Sequence, residues 1–160
     1  MSNRARWASN VAGEQCPFDA PRANIAASLH EVQRLSIATL YLERIQTYRG
    51  HCVLVFDPRH VTRIDELSAA EWQLMAQDIQ AAERALMSVF RPDHVNIASI
   101  GQVVAHLHWH LVPRYFDDPR WGGPIWMTTP AEMLAVHLDD AEYEVMATSI
   151  RKALGEGAAA

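Results

Sequence analysis

Residues 106–112 read His-Leu-His-Trp-His-Leu-Val, three histidines at every second position with large apolar residues between and after them. Along a β-strand, successive side chains point to opposite faces. As a strand, the stretch puts His106, His108 and His110 on one face and Leu107, Trp109 and Leu111 on the other. The apolar face must pack on a core, which leaves the imidazoles lining the opposite, accessible side.

The flanks extend this reading. Gly-Gln-Val-Val at 101–104 leads into the strand and Pro113-Arg114 closes it, while 94–100, His-Val-Asn-Ile-Ala-Ser-Ile, reads as its partner strand. Upstream, Ser68 and Glu71 have the spacing of a capping box, and Leu67 and Trp72 that of a hydrophobic staple. Trp72, Met75, Ile79, Leu86 and Val89 or Phe90 then recur at helical period up to Arg91-Pro92. Two further strands, 35–43 and 52–56, flank a turn at 47–51 and predict a hairpin. Downstream, Thr129, Pro130 and Glu132 form a helix start with proline in the first position, and 139–154 is amphipathic with Gly155 as its cap. Hairpin, helix, hairpin and helical tail make an α+β fold with a mainly antiparallel sheet.

The totals bound the class. A chain of 160 residues, 49% hydrophobic and 21% charged, fits one globular domain. The expected division is a loose polar arm at 1–15, a single domain at 16–155 with its core in 25–115, and a frayed tail at 156–160. No apolar run approaches the roughly 18 residues that span a bilayer. The first ten residues lack the apolar stretch of a secretory signal. Cys16 and Cys52 form no paired metal motif, so a cytoplasmic, thiol-reduced protein is expected. A net charge of −5 argues against long nucleic acid as a partner.

Three chemistries suit the histidine row. Neighbouring members lie roughly 6.6 Å apart along a strand and the outer pair roughly 13 Å apart. Ligand bonds to zinc are about 2 Å, so two neighbours reach one ion but three do not, and no carboxylate or cysteine obviously completes a set. A purely structural role requires a hydrogen-bond partner for every buried ring. The third option is an anion cradle with a nucleophile. Neutral imidazole is nucleophilic near pH 7, and an extended row suits an extended polyphosphate: one ring attacks phosphorus while its neighbours donate to the phosphoryl oxygens.

The stretch also resembles the His-x-His-x-His-x-x signature of the histidine triad (HIT) family of nucleotide hydrolases and transferases. The similarity continues in the Gly101-Gln102 lead, in the Pro113-Arg114 exit, and in 48–60, where Gly50-His51 opens a strand leading to a proline-containing loop. It covers about residues 25 to 115; the tail from 116 looks like a bacterial subgroup. The resemblance implies a HIT-like fold, usually a homodimer, and a nucleotidyl-histidine intermediate formed by His108 at the α-phosphate. Water then releases the nucleoside monophosphate. It implies phosphate binding by His110, orientation of a neighbouring ring by His106, a fourth histidine near the phosphates at His51, and ribose hydroxyls on Glu43. Asn96 and Gln102 match polar residues facing the phosphates.

Phosphoanhydrides and phosphoramidates of an adenine nucleotide are the implied substrates, diadenosine polyphosphate foremost. The rivals are a nucleotidyl transferase and a nucleotide-binding sensor with little turnover. No cofactor or protein-bound metal is expected; Mg2+ enters only with the substrate phosphates. Two departures stand out. Val103 occupies the position where relatives often carry a hydroxyl, and residues 16–19, Cys-Pro-Phe-Asp, resemble the start of zinc-binding relatives with Asp19 in place of a second cysteine. From the residues alone, His51 also reads as a plain strand start and Glu43 as a solvated strand end. His30, His60, His94 and His137 have no partner pattern, and Arg114 reads as a strand terminator in preference to a phosphate ligand. Trp121 and Trp126 fit the core, a dimer contact or a lid over the adenine.

Overall fold

In the computed structural model, which describes residues 2–14, 16–19, 25–118, 120–127 and 136–157, the architecture is an antiparallel sheet covered by helices on one face. Its strands are β1 (Leu29–Arg34), β2 (Ala38–Glu43), β3 (Cys52–Phe56), β4 (His94–Ala98) and β5 (His108–Arg114), in the spatial order β1-β2-β3-β5-β4. Every neighbouring pair is antiparallel. The helices are α1 (Asn3–Val11), α2 (Ala69–Phe90) and α3 (Asp140–Gly157).

The register places Leu40, Leu42, Cys52, Leu54, Phe56, Leu107, Trp109 and Leu111 in one core with Met75, Ala82, Ala85 and Leu86 of α2 and Met146, Ala147, Ile150 and Leu154 of α3. The opposite face carries a smaller cluster of Ile25, Leu29, Tyr41, Val53 and Val55, joined by Phe18. Strands β2 and β3 are therefore covered on both sides. That is why their sequences are nearly continuous apolar runs rather than alternating ones.

Both long helices begin with reciprocal caps. Ser68 Oγ accepts from Glu71 N while the Glu71 carboxylate accepts from Ser68 N. Asp139 Oδ1 likewise accepts from Glu142 N, and Glu142 Oε2 from Asp139 N. Each pair satisfies donors that a helix start leaves open.

Several boundaries differ from the sequence expectation. Strand β1 falls in a stretch to which the sequence analysis assigns no element, and its pairing with β2 slips between Glu31 and Gln33. The slip leaves Val32 as the extra residue of a bulge. Its freed carbonyl accepts from Arg151 Nε of α3 at 2.7 Å. The strand read at 35–43 starts at Ala38, and residues 35–37 form the turn after β1. Gly155 lies inside α3, which runs on to Gly157. Residues 3–11 of the polar arm form α1, capped by Ser2. The helix start read at Thr129, Pro130 and Glu132 lies outside the described residues. Among the described residues, no helix is long and apolar enough to cross a membrane.

Candidate active site

Strand β5 carries His108 and His110 on the face away from α2 and α3. His108 pairs with Val55 and His110 with Val53 across to β3, and His106 lies just before the strand. His108 is buried, and its Nδ1 lies 2.6 Å from the His106 carbonyl oxygen. A carbonyl only accepts, so Nδ1 carries the proton. The Nε2 lone pair is then free for chemistry. Burial lowers the His108 pKa and keeps the ring neutral.

His110 and His51 form a pair, Nδ1 to Nε2 at 3.0 Å. Burial and then the neighbouring ring hold both well below the ordinary histidine value: His110 at about 4, with His108 as the neighbour, and His51 at about 3, with His110. Two neutral rings share one N–H. With His51 donating, His110 keeps its own proton on Nε2, a hydrogen-bond donor suited to a phosphoryl oxygen.

The turn before β3 sets His51 in place. Gly50 has a φ of +87°, and a Cβ there would meet the Phe90 ring at 2.7 Å, so both backbone and space require glycine. The buried Gln46 side chain spans the turn, accepting from Gly50 N at 2.7 Å and donating to the carbonyls of Glu43 and His51. Gln46 is a positioning residue that no motif in the sequence marks.

Glu43, at the end of β2, donates its backbone N–H to the His51 carbonyl at 3.0 Å. Burial raises its carboxyl to about 7. The folded pKa lies above the unfolded one, so the group's contribution to stability is complete below pH 4.5 and disappears as pH rises through about 7. Glu43→Gln, neutral throughout, is expected to remove this dependence. Between pH 4.5 and 8, wild type should lose about 2 kcal/mol relative to the variant, read by chemical denaturation at the two pH values.

Glu43, His51, His108 and His110 all line one cavity of about 510 Å³, with Phe18, Ile25, Leu29, Val53 and Trp126 as apolar walls. Its size suits a nucleotide-sized ligand. Two expected site residues stand elsewhere. Gln102 is exposed beside a second cavity that reaches His106 and His108 from another side. Asn96 lines a third, with Trp121, and its Oδ1 accepts from Arg114 Nη1 at 2.9 Å. Arg114 itself is buried, bonded to Asp118 and to the carbonyls of Arg120 and Gly123. It organises the loop after β5, in keeping with the strand-terminator reading. Val103 is 84% exposed and contributes to the wall of the main cavity.

His106 faces a different set. Its Nε2 lies 2.6 Å from the Phe56 carbonyl oxygen and therefore carries a proton. In the neutral ring Nδ1 is then a lone pair, yet it sits 2.9 Å from Asp19 Oδ1 and 3.7 Å from Cys16 Sγ. His60 Nδ1 lies 2.6 Å from Asp19 Oδ2, but neither buried ring nitrogen of His60 is aligned for a hydrogen bond. The ligand atoms of Cys16, Asp19, His60 and His106 all lie within 4.8 Å of one another. Four ligand atoms this close together, with neither ring nitrogen of His60 in a hydrogen bond, fit a cation. A thiolate, a carboxylate and two neutral imidazoles balance the charge of a divalent ion. The sequence reading, which found no carboxylate or cysteine to complete a set, is corrected here. Residues 16–19 and the loop after β3 return to the triad strand in space, which linear spacing does not reveal.

The HIT domain family model matches residues 32–117. No curated protein matches the chain in sequence. Among solved structures, a histidine triad protein from Marinobacter aquaeolei VT8 is 24% identical, with a TM-score of 0.75 over 87% of this chain and 97% of that one. A Zn-bound histidine triad family protein from Mycobacterium smegmatis is 22% identical, with a TM-score of 0.64 over 91% and 96%. A diadenosine triphosphate hydrolase from Plasmodium falciparum is 16% identical, with a TM-score of 0.56 over 79% and 77%. The family match spans more than half of the chain and contains His106, His108 and His110, and the protein belongs to the HIT family.

Proposed function

We propose that the protein hydrolyses a nucleoside phosphoanhydride or phosphoramidate at the α-phosphate, with a diadenosine polyphosphate as the leading substrate. The observation that carries this reading is the bond from His108 Nδ1 to the His106 carbonyl, which leaves Nε2 as a free nucleophile at the cavity. Nε2 attacks the α-phosphorus; the bond to the leaving group breaks and its electron pair departs with that group. Water then cleaves the P–N bond, releasing the nucleoside monophosphate and returning His108. His110 donates from Nε2 to the phosphoryl oxygens, His51 holds it in that tautomer through its bond to Nδ1, and Glu43 accepts from the ribose hydroxyls. No cofactor takes part; Mg2+ accompanies the substrate phosphates. The protein works in the cytoplasm as a homodimer.

A nucleotidyl transferase differs only in the acceptor that replaces water. A sensor with little turnover is favoured by Val103, which brings no hydroxyl to the cavity, and opposed by the free Nε2, which binding alone does not need. The test is AMP release from diadenosine tri- and tetraphosphate, adenosine phosphoramidate and adenylyl-lysine, with wild type and His108→Ala side by side. Release by wild type alone supports the reading. Absence of release despite AMP binding overturns it.

The geometry favours a second assignment: Cys16, Asp19, His60 and His106 hold a structural divalent cation, zinc by donor type. Burial raises the Cys16 thiol, and a coordinated cation would take it to the thiolate. The ion would fix the His106 ring and tie residues 16–19 to the sheet. Protein prepared without an affinity tag is expected to contain about one zinc per chain. Asp19→Ala combined with Cys16→Ala should abolish the metal and lower the melting temperature; an equally low metal content in wild type would refute the assignment.

A further inference from the structure

Arg114 does more than end β5. Its side chain is 3% exposed, and taking a guanidinium out of water is costly unless its donors are engaged. Most of them serve one loop. Nε donates to Asp118 Oδ2 at 2.7 Å, and Nη2 lies 2.6 Å from the same oxygen. Nη2 also donates to the Arg120 carbonyl at 2.7 Å, and Nη1 to the Gly123 carbonyl at 2.9 Å. Nη1 reaches back to Asn96 Oδ1 on β4 as well. The Tyr48 ring covers the group, its centre 5.1 Å from the guanidinium carbon. A planar fork of five donors can hold such a set, and an ammonium with three cannot.

The loop so held carries part of the main cavity. After Gly123, Pro124 leads into a single 3-10 turn, Ile125–Met127, and Ile125 and Trp126 line the cavity together with Glu43, His51, His108 and His110. Trp126 is 61% exposed, so burial in the core does not fix its ring. Bonds within the loop do. Trp121 N donates to the Asp118 carbonyl, Gly123 N to the Arg120 carbonyl and Met127 N to the Pro124 carbonyl. Arg120 Nη1 donates across to the Met127 carbonyl at 3.3 Å. Asp118, Arg120 and Gly123, the residues that Arg114 grips, are the anchor points of this series.

We infer that Arg114 is a positioning residue for the ligand of the main cavity. Its grip on the loop holds Ile125 and Trp126 at the cavity wall, and so sets ligand affinity through a group that the ligand does not touch. The inference rests on the reading of this cavity as the nucleotide site and adds the part that holds one of its walls.

The experiment is a double-mutant cycle on AMP affinity, read by calorimetry on wild type, Arg114→Lys, Trp126→Ala and the double variant. Each single change is expected to weaken AMP binding about tenfold, and the double variant no further than Trp126→Ala alone, because both act through one wall. A double variant weakened by the product of the two, about a hundredfold, overturns the inference by giving Arg114 an effect of its own. So does an Arg114→Lys protein that binds AMP as wild type does. With diadenosine tetraphosphate, Arg114→Lys should raise KM by a similar factor and leave kcat within about twofold, since Arg114 stands roughly 20 Å along the strand from His108. A fall in kcat as large as the rise in KM overturns the inference, as a general loss of structure. If Arg114→Lys does not fold, Asp118→Asn, which keeps an acceptor oxygen, takes its place in the cycle with an effect of about threefold expected. If wild type binds AMP without turnover, the hydrolase reading falls and the cycle still decides. If wild type binds no AMP, the nucleotide reading falls separately, and hydrogen exchange at residues 120–127 decides: faster exchange in Arg114→Lys than in wild type upholds the grip on the wall, and unchanged exchange refutes it.

Discussion

Replacing His108 with alanine is expected to lower AMP release by at least about a thousandfold, the scale found when a catalytic nucleophile is removed. The reason is local. A hydrogen bond to the strand's own carbonyl at residue 106 sets the tautomer of His108, so the backbone holds Nε2 ready without help from another side chain. His110 and His51 are bonded to each other through Nδ1 and Nε2, so the strand backbone sets the tautomer of neither ring. Burial lowers the pKa of His108 and holds His110 at about 4 and His51 at about 3. The melting temperature of the variant separates lost chemistry from lost structure. A variant that keeps more than a tenth of wild-type activity would remove His108 from the role of nucleophile.

The second large effect concerns stability. Asp78 is buried on the inner side of α2, and its carboxylate accepts three backbone N–H groups at the turn between β1 and β2: Ser36 at 3.1 Å, Ile37 at 2.9 Å and Ala38 at 3.0 Å. Asp78→Ala leaves these donors without their acceptor in a place where water does not readily substitute. Each orphaned buried group costs about 1–3 kcal/mol, and the set should cost about 3 kcal/mol in all. Asp78→Asn keeps one acceptor oxygen and should lose about half as much. Denaturant unfolding of the three proteins gives the ranking. An alanine variant within 1 kcal/mol of wild type would show that the turn holds itself.

Asp78 also shows where sequence reading stops. Apolar periodicity placed the inner stripe of α2 through Trp72, Met75, Ile79 and Leu86. The buried positions are Met75, Asp78, Ala82, Ala85 and Leu86. A carboxylate inside a helix seam makes sense only once the turn it caps is seen, and small alanines carry a weak periodic signal. Trp72 is pulled outward, 41% exposed, although its ring still lies 6.3 Å from that of Trp109. The triad was legible because alternation is a property of neighbours in sequence. So was the capping box, whose partners are three residues apart. The Cys16, Asp19, His60 and His106 set was not legible, because its members are up to 90 residues apart in the chain. His60 looked like an ordinary surface histidine until the fold returned it to His106, ring centroids 5.2 Å apart. Asn96 matches a polar position of the family pattern, and it lies one cavity away, held by Arg114.

The bulge at Val32 and the last helix have a consequence for how the chain is made. Arg151 holds the Val32 carbonyl, and Met146, Ala147, Ile150 and Leu154 cover the sheet beside α2. A ribosome that has delivered residues up to 139 has released every strand, every triad histidine and α2, yet part of the sheet's apolar face is still bare. The final stretch therefore acts as the closing stave of the fold. During synthesis, protection from aggregation depends on how soon those last residues emerge.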